Sequence, residues 1–413
     1  MKTHLLFLLL FASTGWLFAQ PNYAPPSGVW CSCPPTTGNG VGSVLPDVAA
    51  KNYVQGILVR AVWKDVEPAD NTYNWSLIDD QISAAQSYGK KISISIGGGP
   101  NSPDWLYAAG SESMSFSFPF AGTIPVPWDS IFLNKWTEFI AEFGNRYQND
   151  TTIQLVYITN SSGNGFEMQI PFQPTPTYAE LEYTDQKMID SWKQVMRSFD
   201  MAFPNHYLTN DYHPVNSSDV VADSIYAFAQ AQIGNRYGAS AWWWTQHNTT
   251  VYPAQYSIFQ HSAIHNSFTG LQMAASGVEN PSTFGTGGMP AALNLAISDQ
   301  VCYWEVWNKD ILDGSFDTIL AEATCNPVSA TIAPHKSTHH KVNVFPNPTD
   351  GILYLEPMNN YTYMRVSVLN VMGQTILTSR NKQTIDISDW QAGTYLLKIE
   401  IDNTFLHQVV IKK

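Results

Sequence analysis

Residues 56–99, GILVRAVWKDVEPADNTYNWSLIDDQISAAQSYGKKISISIGGG, decide the fold, because a strand, a helix and a second strand can be read from them in order. Gly56 to Trp63 and Lys91 to Gly97 are short runs rich in β-branched residues. Between them Trp75, Ile78, Ile82 and Ala85 recur at three- and four-residue spacing, the period of a helix that lays one face on a sheet. Such a unit sets its two strands side by side and parallel.

The same alternation runs on in both directions. Apolar runs at Gly28–Ser32, Ile153–Thr159, His206–Asn210, Ala239–Trp244, Gly270–Ala275 and Val301–Trp307 bring the expected strands to eight, with helices such as Ile131–Tyr147 and Asp185–Ala202 between them. Strands alternating with helices belong to the α/β class. Eight of them over residues 21–326 predict a closed (β/α)8 TIM barrel, a fold that needs about 250 residues. An open doubly wound sheet is the alternative, but no G-x-G-x-x-G turn opens any helix.

The ends of the chain differ from this pattern. Residues 1–20 start basic at Lys2, continue as the apolar run LLFLLLFA and leave through small residues, the layout of a secretory signal peptide. The apolar run is too short to span a bilayer and none of about 18 residues follows, so no transmembrane segment is expected. The mature chain is then expected to be secreted or held at the cell surface, reached via the periplasm. Residues 327–341, rich in Ser, Thr, Pro and His without an apolar period, read as an exposed linker. From 342 to 413, short alternating runs separated by turns predict a small antiparallel β-sandwich.

Within that second domain Phe345-Pro346-Asn347-Pro348, Gly351, Val371-Met372-Gly373-Gln374, Ala392-Gly393-Thr394-Tyr395 and Lys412-Lys413 closely resemble, in order and spacing, the type A C-terminal sorting domain of the type IX secretion system of Bacteroidetes-type bacteria. The resemblance implies the type IX secretion machinery as a partner. Without it the same residues describe only a small β module, for which sugar binding stays open, although Trp390 is its one tryptophan.

Charge and cysteines narrow the function classes. Residues 21–330 hold 12 Lys and Arg against 28 Asp and Glu, a difference of −16, whereas residues 341–413 hold 7 against 6. An acidic barrel repels phosphate backbones, so nucleic acid is not an expected ligand. Twelve of the fourteen tryptophans lie in residues 21–330, and such a surface suits neutral sugars, whose C–H faces stack on aromatic rings. Cys31, Cys33, Cys302 and Cys325 allow three disulfide pairings, with Cys302–Cys325 preferred for its short loop. Cys-Ser-Cys lacks the two-residue gap of a zinc site and no histidine pair stands at finger spacing, so neither a metal nor any other cofactor is expected.

The loop after the first quoted strand carries Trp63, Glu67, Pro68, Tyr73 and Trp75 beyond a strand's carboxyl end, where barrels place their chemistry. With Asp79 these residues resemble the W-x-x-x-E-P loop and helix start of family 42 and related clan A retaining glycoside hydrolases. The resemblance implies a secreted, β-galactosidase-like hydrolase with a carbohydrate substrate.

Cleaving a glycosidic bond takes two carboxyl groups, one to protonate the leaving oxygen and one to attack or to activate water. In IQLVYITNSSGNGFEMQIP, residues 153–171, an apolar strand runs into a Gly-rich loop that presents Glu167. By the same resemblance Glu167 is the general acid/base, with one departure: many clan members place Asn directly before the acid, and here Phe166 precedes it, with Asn160 and Asn164 nearby. For the second carboxylate, Glu305 interrupts the apolar run VCYWEVW, and a buried Glu is costly unless paired or used. Its strand is the eighth, whereas the family's nucleophile usually comes from the seventh, which leaves Glu279 as a rival. Expected ligand contacts are Trp63, Glu67, Trp105, Asn160, Asp211, Tyr212, His213, Trp244, Gln246 and Gln272, with Trp30, Trp243 and His247 also at strand ends. No G-x-S-x-G elbow supports serine catalysis. A barrel that binds sugar without cleaving it is the competing class.

Overall fold

The computed structural model describes residues 21–33, 44–117, 121–323, 342–357, 364–369, 375–401 and 404–413. Residues 1–20 and 327–341, read above as a signal peptide and a linker, and residues 371–374, read as a turn, lie outside the described residues. The chain divides into two compact units, Met1–Ser329 and Ala330–Lys413.

In the first unit eight parallel strands close into a barrel: β1 (Gly28–Ser32), β2 (Val54–Val62), β3 (Lys91–Gly97), β4 (Ile153–Tyr157), β5 (Tyr207–Asp211), β6 (Tyr237–Trp244), β7 (Gly270–Met273) and β8 (Tyr303–Trp307). Each pairs with its neighbours in sequence, and β8 returns to β1 with Trp30 opposite Glu305. The eight-stranded barrel read from the sequence is the fold observed.

Alternation along each strand sorts the side chains into two layers. Val59, Ala61, Ile92, Ile94, Val156 and Leu208 pack outward with the apolar faces of the helices Ser76–Ser87, Ser130–Tyr147 and Asp185–Ala202. Trp30, Leu58, Leu155, Tyr157, Tyr207, Trp242 and Tyr303 form a separate cluster inside the barrel. The helix Ser130–Tyr147 begins where Asp129 accepts a hydrogen bond from the Phe132 N–H (2.8 Å), a cap worth about 1 kcal/mol. Its Phe132, Trp136, Phe139 and Phe143 are all buried at three- or four-residue spacing, so the helix is held by one aromatic face.

The second unit holds β9 (Val342–Phe345), β10 (Ile352–Pro357), β11 (Met364–Leu369), β12 (Thr375–Arg380), β13 (Thr384–Asp386), β14 (Gly393–Ile401) and β15 (Thr404–Lys412). They form two antiparallel sheets, β9-β10-β13 and β12-β11-β14-β15. Val344, Leu353, Leu355, Val366, Val368, Leu397 and Ile399 share one core, and Trp390 packs on Tyr395 at 5.2 Å.

Cys31 and Cys33 are joined by a disulfide, and no described cysteine is free. The preferred Cys302–Cys325 pairing involves Cys325, which lies outside the described residues.

Gly56 on β2 is required by close approach: a Cβ there would lie 2.3 Å from the Trp30 ring and 2.7 Å from the Lys91 carbonyl oxygen. Gly56→Ala is therefore expected to destabilise the barrel by about 1–3 kcal/mol in urea denaturation. Part of that loss should return in a Trp30→Leu background, and an unchanged midpoint for the single variant would contradict the packing described.

Candidate active site

Glu305 has no accessible surface. Its carboxylate accepts hydrogen bonds from Tyr157 O–H (2.7 Å), Gln272 Nε2 (2.6 Å) and Tyr303 O–H. The Tyr303 hydroxyl also meets Ser93 Oγ at 2.6 Å, and Trp242 Nε1 donates to the Tyr157 oxygen at 3.2 Å. Burial pushes the Glu305 carboxyl up from its ordinary value, and Arg60 and the three donors offset this only in part.

Arg60, on β2, faces the same interior. Its Nη2 donates to Ser32 Oγ (2.9 Å), and the guanidinium lies 4.8 Å from the Trp242 ring centre and 5.6 Å from that of Trp307. Burial lowers its pKa, against the opposing charges of Glu305 and, more weakly, Glu167.

Glu167 comes from the loop after β4, which is fixed by backbone contact. Gly99 (φ +58°) and Gly165 (φ +83°) pack so tightly that a Cβ would lie 2.2 Å from the Ser162 carbonyl oxygen or 2.3 Å from that of Gly98. Asn164 Oδ1 accepts from the N–H of Phe166 (3.0 Å) and of Glu167 (2.9 Å). The Phe166 ring leans over Gly97 and towards Trp242.

At the tip of this loop Glu167 Oε2 lies 3.3 Å from His213 Nε2, and Asp211 Oδ2 lies 2.9 Å from the same nitrogen. Gln169 Nε2 meets His213 Nδ1, while Tyr252 stands edge-on to the imidazole at 5.0 Å. Burial pushes the His213 pKa down, but Asp211 and Glu167 overcome it and raise it to about 9. Burial pushes Glu167 up, yet the hydrogen bond and charge of His213 outweigh this and hold it below the ordinary carboxylate range. Asp211 moves the other way, because its burial outweighs the pull of His213. Glu167, Asp211 and His213 each offer one ligand atom within 4.8 Å of the others, so they are the described residues able to hold a metal ion. An imidazolium cannot ligate, so a cation there would have to displace the His213 proton.

Several expected contact residues serve the framework instead. Trp63 is fully buried among Trp105, Phe132, Trp136 and Phe139 in the helix layer, which leaves no ring face for a sugar. Its Nε1 donates to Glu67 (2.7 Å), whose other oxygen accepts from the Asn71 N–H, and Trp105 Nε1 bonds the Glu67 carbonyl oxygen. Trp244 donates to the Ala292 carbonyl oxygen and packs on Phe259, and Tyr212 shares a hydrogen bond with Tyr237. Asn160 is buried with its amide on Ser191, Gln246 bonds the Thr286 carbonyl oxygen in an exposed loop, and Trp30 lies under Tyr303 inside the barrel. Trp63 and Tyr212 miss the mouth because strand neighbours point to opposite faces, and Trp244 because the β6–β7 pairing is irregular between Ala241 and Trp244. Glu279 is half-exposed, with Lys309 Nζ at 3.6 Å. Asp211, His213 and Gln272 do join the carboxylates. Arg60, Tyr157, Trp242 and Gln169 complete the site and were not singled out from the sequence. Arg60 carried a usable signal, since it interrupts GILVRAV as Glu305 interrupts VCYWEVW.

The raised His213 pKa fixes a sign. An imidazole that titrates at about 9 in the fold and near 6.5 when unfolded stabilises the protein fully below pH 6.5 and loses that contribution as pH rises through about 9. The stability gap between the parent and His213→Gln should thus be largest at pH 6 and shrink by pH 10. Histidine NMR titration should place one imidazole near pH 9, and a value near 6.5 would break the proposed pairing.

Among known proteins, the family model described as the secretion system C-terminal sorting domain matches residues 343–413. A search of curated proteins found no match. Similar solved structures include one titled as a glycoside hydrolase, with 7% identity and a TM-score of 0.46, covering 73% of this chain and 100% of that one. An endo-β-1,4-glucanase from Xanthomonas axonopodis pv. citri gives 11%, 0.42, 69% and 88%. A Cellulomonas fimi endo-β-1,4-mannanase double mutant gives 12%, 0.39, 94% and 94%. Likenesses at these values carry no argument about activity, and the barrel stands on its own strand order. The C-terminal unit is a sorting domain, which indicates export to the surface or medium, and no described helix is long and apolar enough to cross a membrane.

Proposed function

We propose that the barrel is a glycoside hydrolase that cleaves O-glycosidic bonds in oligo- or polysaccharides with retention, using Glu305 as nucleophile and Glu167, paired with His213, as acid/base. The observation that carries this reading is one chain of contacts that joins the two carboxylates: Tyr157 donates to Glu305, Trp242 Nε1 donates to Tyr157, Asp211 accepts from the Trp242 N–H, and His213 lies between Asp211 and Glu167. In the first step a Glu305 oxygen bonds to the anomeric carbon, the bond to the leaving oxygen breaks, and that oxygen takes a proton from the Glu167–His213 pair. In the second, water gives a proton back to the pair and its oxygen displaces Glu305. His213 is raised and Glu167 lowered, which favours the proton on the imidazole in the free protein. A bound sugar that excludes water makes two separated charges costlier and favours the neutral Glu167–His213 pair.

Family 42 membership, β-galactosidase-like specificity and the type IX route of export belong to this proposal too, and rest on the sequence resemblances. One observation favours a second reading, a sugar-binding barrel without turnover: Glu305 has no accessible surface, whereas a nucleophile must reach the anomeric carbon, and His213 lowers Glu167 where an acid is served by a raised value.

Glu167→Gln should lower turnover of an unactivated glycoside roughly a hundredfold or more while leaving substrate binding intact. Glu305→Ala should abolish hydrolysis and recover part of it with azide, which can occupy the vacated space. Glu279→Ala should leave rates nearly unchanged. Activity of Glu167→Gln within a factor of two of the parent would remove Glu167 from the mechanism, and no hydrolysis by the parent on a wide glycoside panel would favour the binding reading.

A chain ending before residue 342 should keep whatever activity the full chain has and remain inside a type IX host, as fractionation of culture medium would show. Loss of sugar binding on that truncation would make the second unit a binding module.

A further inference from the structure

An open cavity of about 920 Å³ adjoins the candidate active site, walled by the segment that runs on from Glu167, by the loop after β5 and by Tyr252. Two of its lining residues belong to the carboxylate cluster as well. The Gln169 amide meets His213, and Tyr252 stands edge-on to the same imidazole. The volume falls within the ~300–1,000 Å³ usual for small-molecule sites.

Its chemistry is aromatic and neutral. Phe172, 68% exposed, Tyr178 and Tyr252 offer rings, while Gln169, Gln173 and Asn216 offer amides. No lysine or arginine is among the lining residues, and the one carboxylate, Asp219, already accepts from Gln255 Nε2 at 2.8 Å. Rings that meet C–H faces and amides that meet hydroxyls suit a sugar. A sulfated or uronic chain would find no cation here and would meet an acidic barrel. Gln173 (φ 51°), Asn216 (φ 48°) and Ser217 (φ 61°) all hold left-handed backbone around the rim.

We propose that this cavity is a second sugar subsite, which receives an uncharged oligosaccharide running from the carboxylate pair past Gln169 and Tyr252 onto Phe172. The direction of the chain rests on the hydrolase reading, whereas binding in the cavity does not require turnover. The substrate is then a chain of several units and not a lone monosaccharide or disaccharide.

Calorimetry on the full chain with manno-, cello-, xylo- and galacto-oligosaccharides of two to six units tests this. Affinity should rise with length in at least one series. Phe172→Ala, at an exposed position, should melt as the parent does yet lose about tenfold in affinity for the longest binding oligomer and nothing for the disaccharide, and Phe172→Tyr should bind as the parent. Binding to none of the series, affinity independent of length, an equal loss for short and long oligomers, or tighter binding of galacturonate oligomers would each overturn the subsite. Length-dependent binding without hydrolysis would sink the hydrolase reading and leave the subsite standing, and hydrolysis without length dependence would do the reverse.

Discussion

Glu305 occupies the middle of the barrel with no accessible surface, and the strands around it are arranged to make that tolerable. A carboxylate taken out of water costs several kcal/mol unless its oxygens are hydrogen-bonded and faced by opposite charge. Donors come from Tyr157 on β4, Gln272 on β7 and Tyr303 on β8, and the facing charge from Arg60 on β2. Those partners are held in turn: Ser93 on β3 meets Tyr303, Ser32 on β1 meets Arg60, Trp242 on β6 donates to Tyr157, and Asp211 on β5 accepts from the Trp242 N–H at 2.6 Å. Every strand contributes to one polar network. Replacing any donor strands a buried acceptor, so the site and the closure of the barrel share their determinants.

The two carboxylates live in unlike surroundings, and that difference is where chemistry becomes possible. Glu305 sees uncharged donors and a cation held against indole rings, and burial raises it. Glu167 stands at the end of a loop beside an imidazolium, which lowers it. Environments that push two acids apart are how a site assigns them different tasks. Here the raised partner is His213, so the acid role proposed for Glu167 depends on what a bound sugar would do to the local solvent.

Most of the fold was legible because barrel strands and helices advertise themselves by period. The eight strands, and helices such as Asp185–Ala202, follow from apolar spacing that local sequence controls. The site was legible where an ionisable residue broke an apolar run, as Glu305 does, where a Gly-rich loop presented one, as with Glu167, or where a polar residue closed a strand, as with Asp211, His213 and Gln272. Facing was not legible from motif position. Trp242, Trp243 and Trp244 are consecutive, yet Trp242 covers Arg60, Trp243 leans on Tyr252 and Trp244 enters the helix layer. A shift of one residue changes the face, and the irregular pairing between Ala241 and Trp244 makes the parity at that strand end unreadable without the ladder. Asp211 and His213 could be placed at a strand end, but their convergence on Glu167 joins loops more than forty residues apart and leaves no local trace.

The departure from the family pattern, a nucleophile candidate on the eighth strand in place of the seventh, persists because β1 is a real barrel strand. It is not a geometric obstacle. Glu305 and Gln272 are paired across the β7–β8 ladder, so their side chains leave adjacent strands at the same level and on the same face. A carboxylate on either strand can therefore reach the barrel axis below the mouth. With Glu305 on β8, the β7 position beside it holds Gln272, whose amide donates to the carboxylate at 2.6 Å. An amide there supports a neighbouring carboxylate where a second acid would repel it. The strand from which the resembled family usually takes its nucleophile thus supplies the hydrogen-bond partner of Glu305.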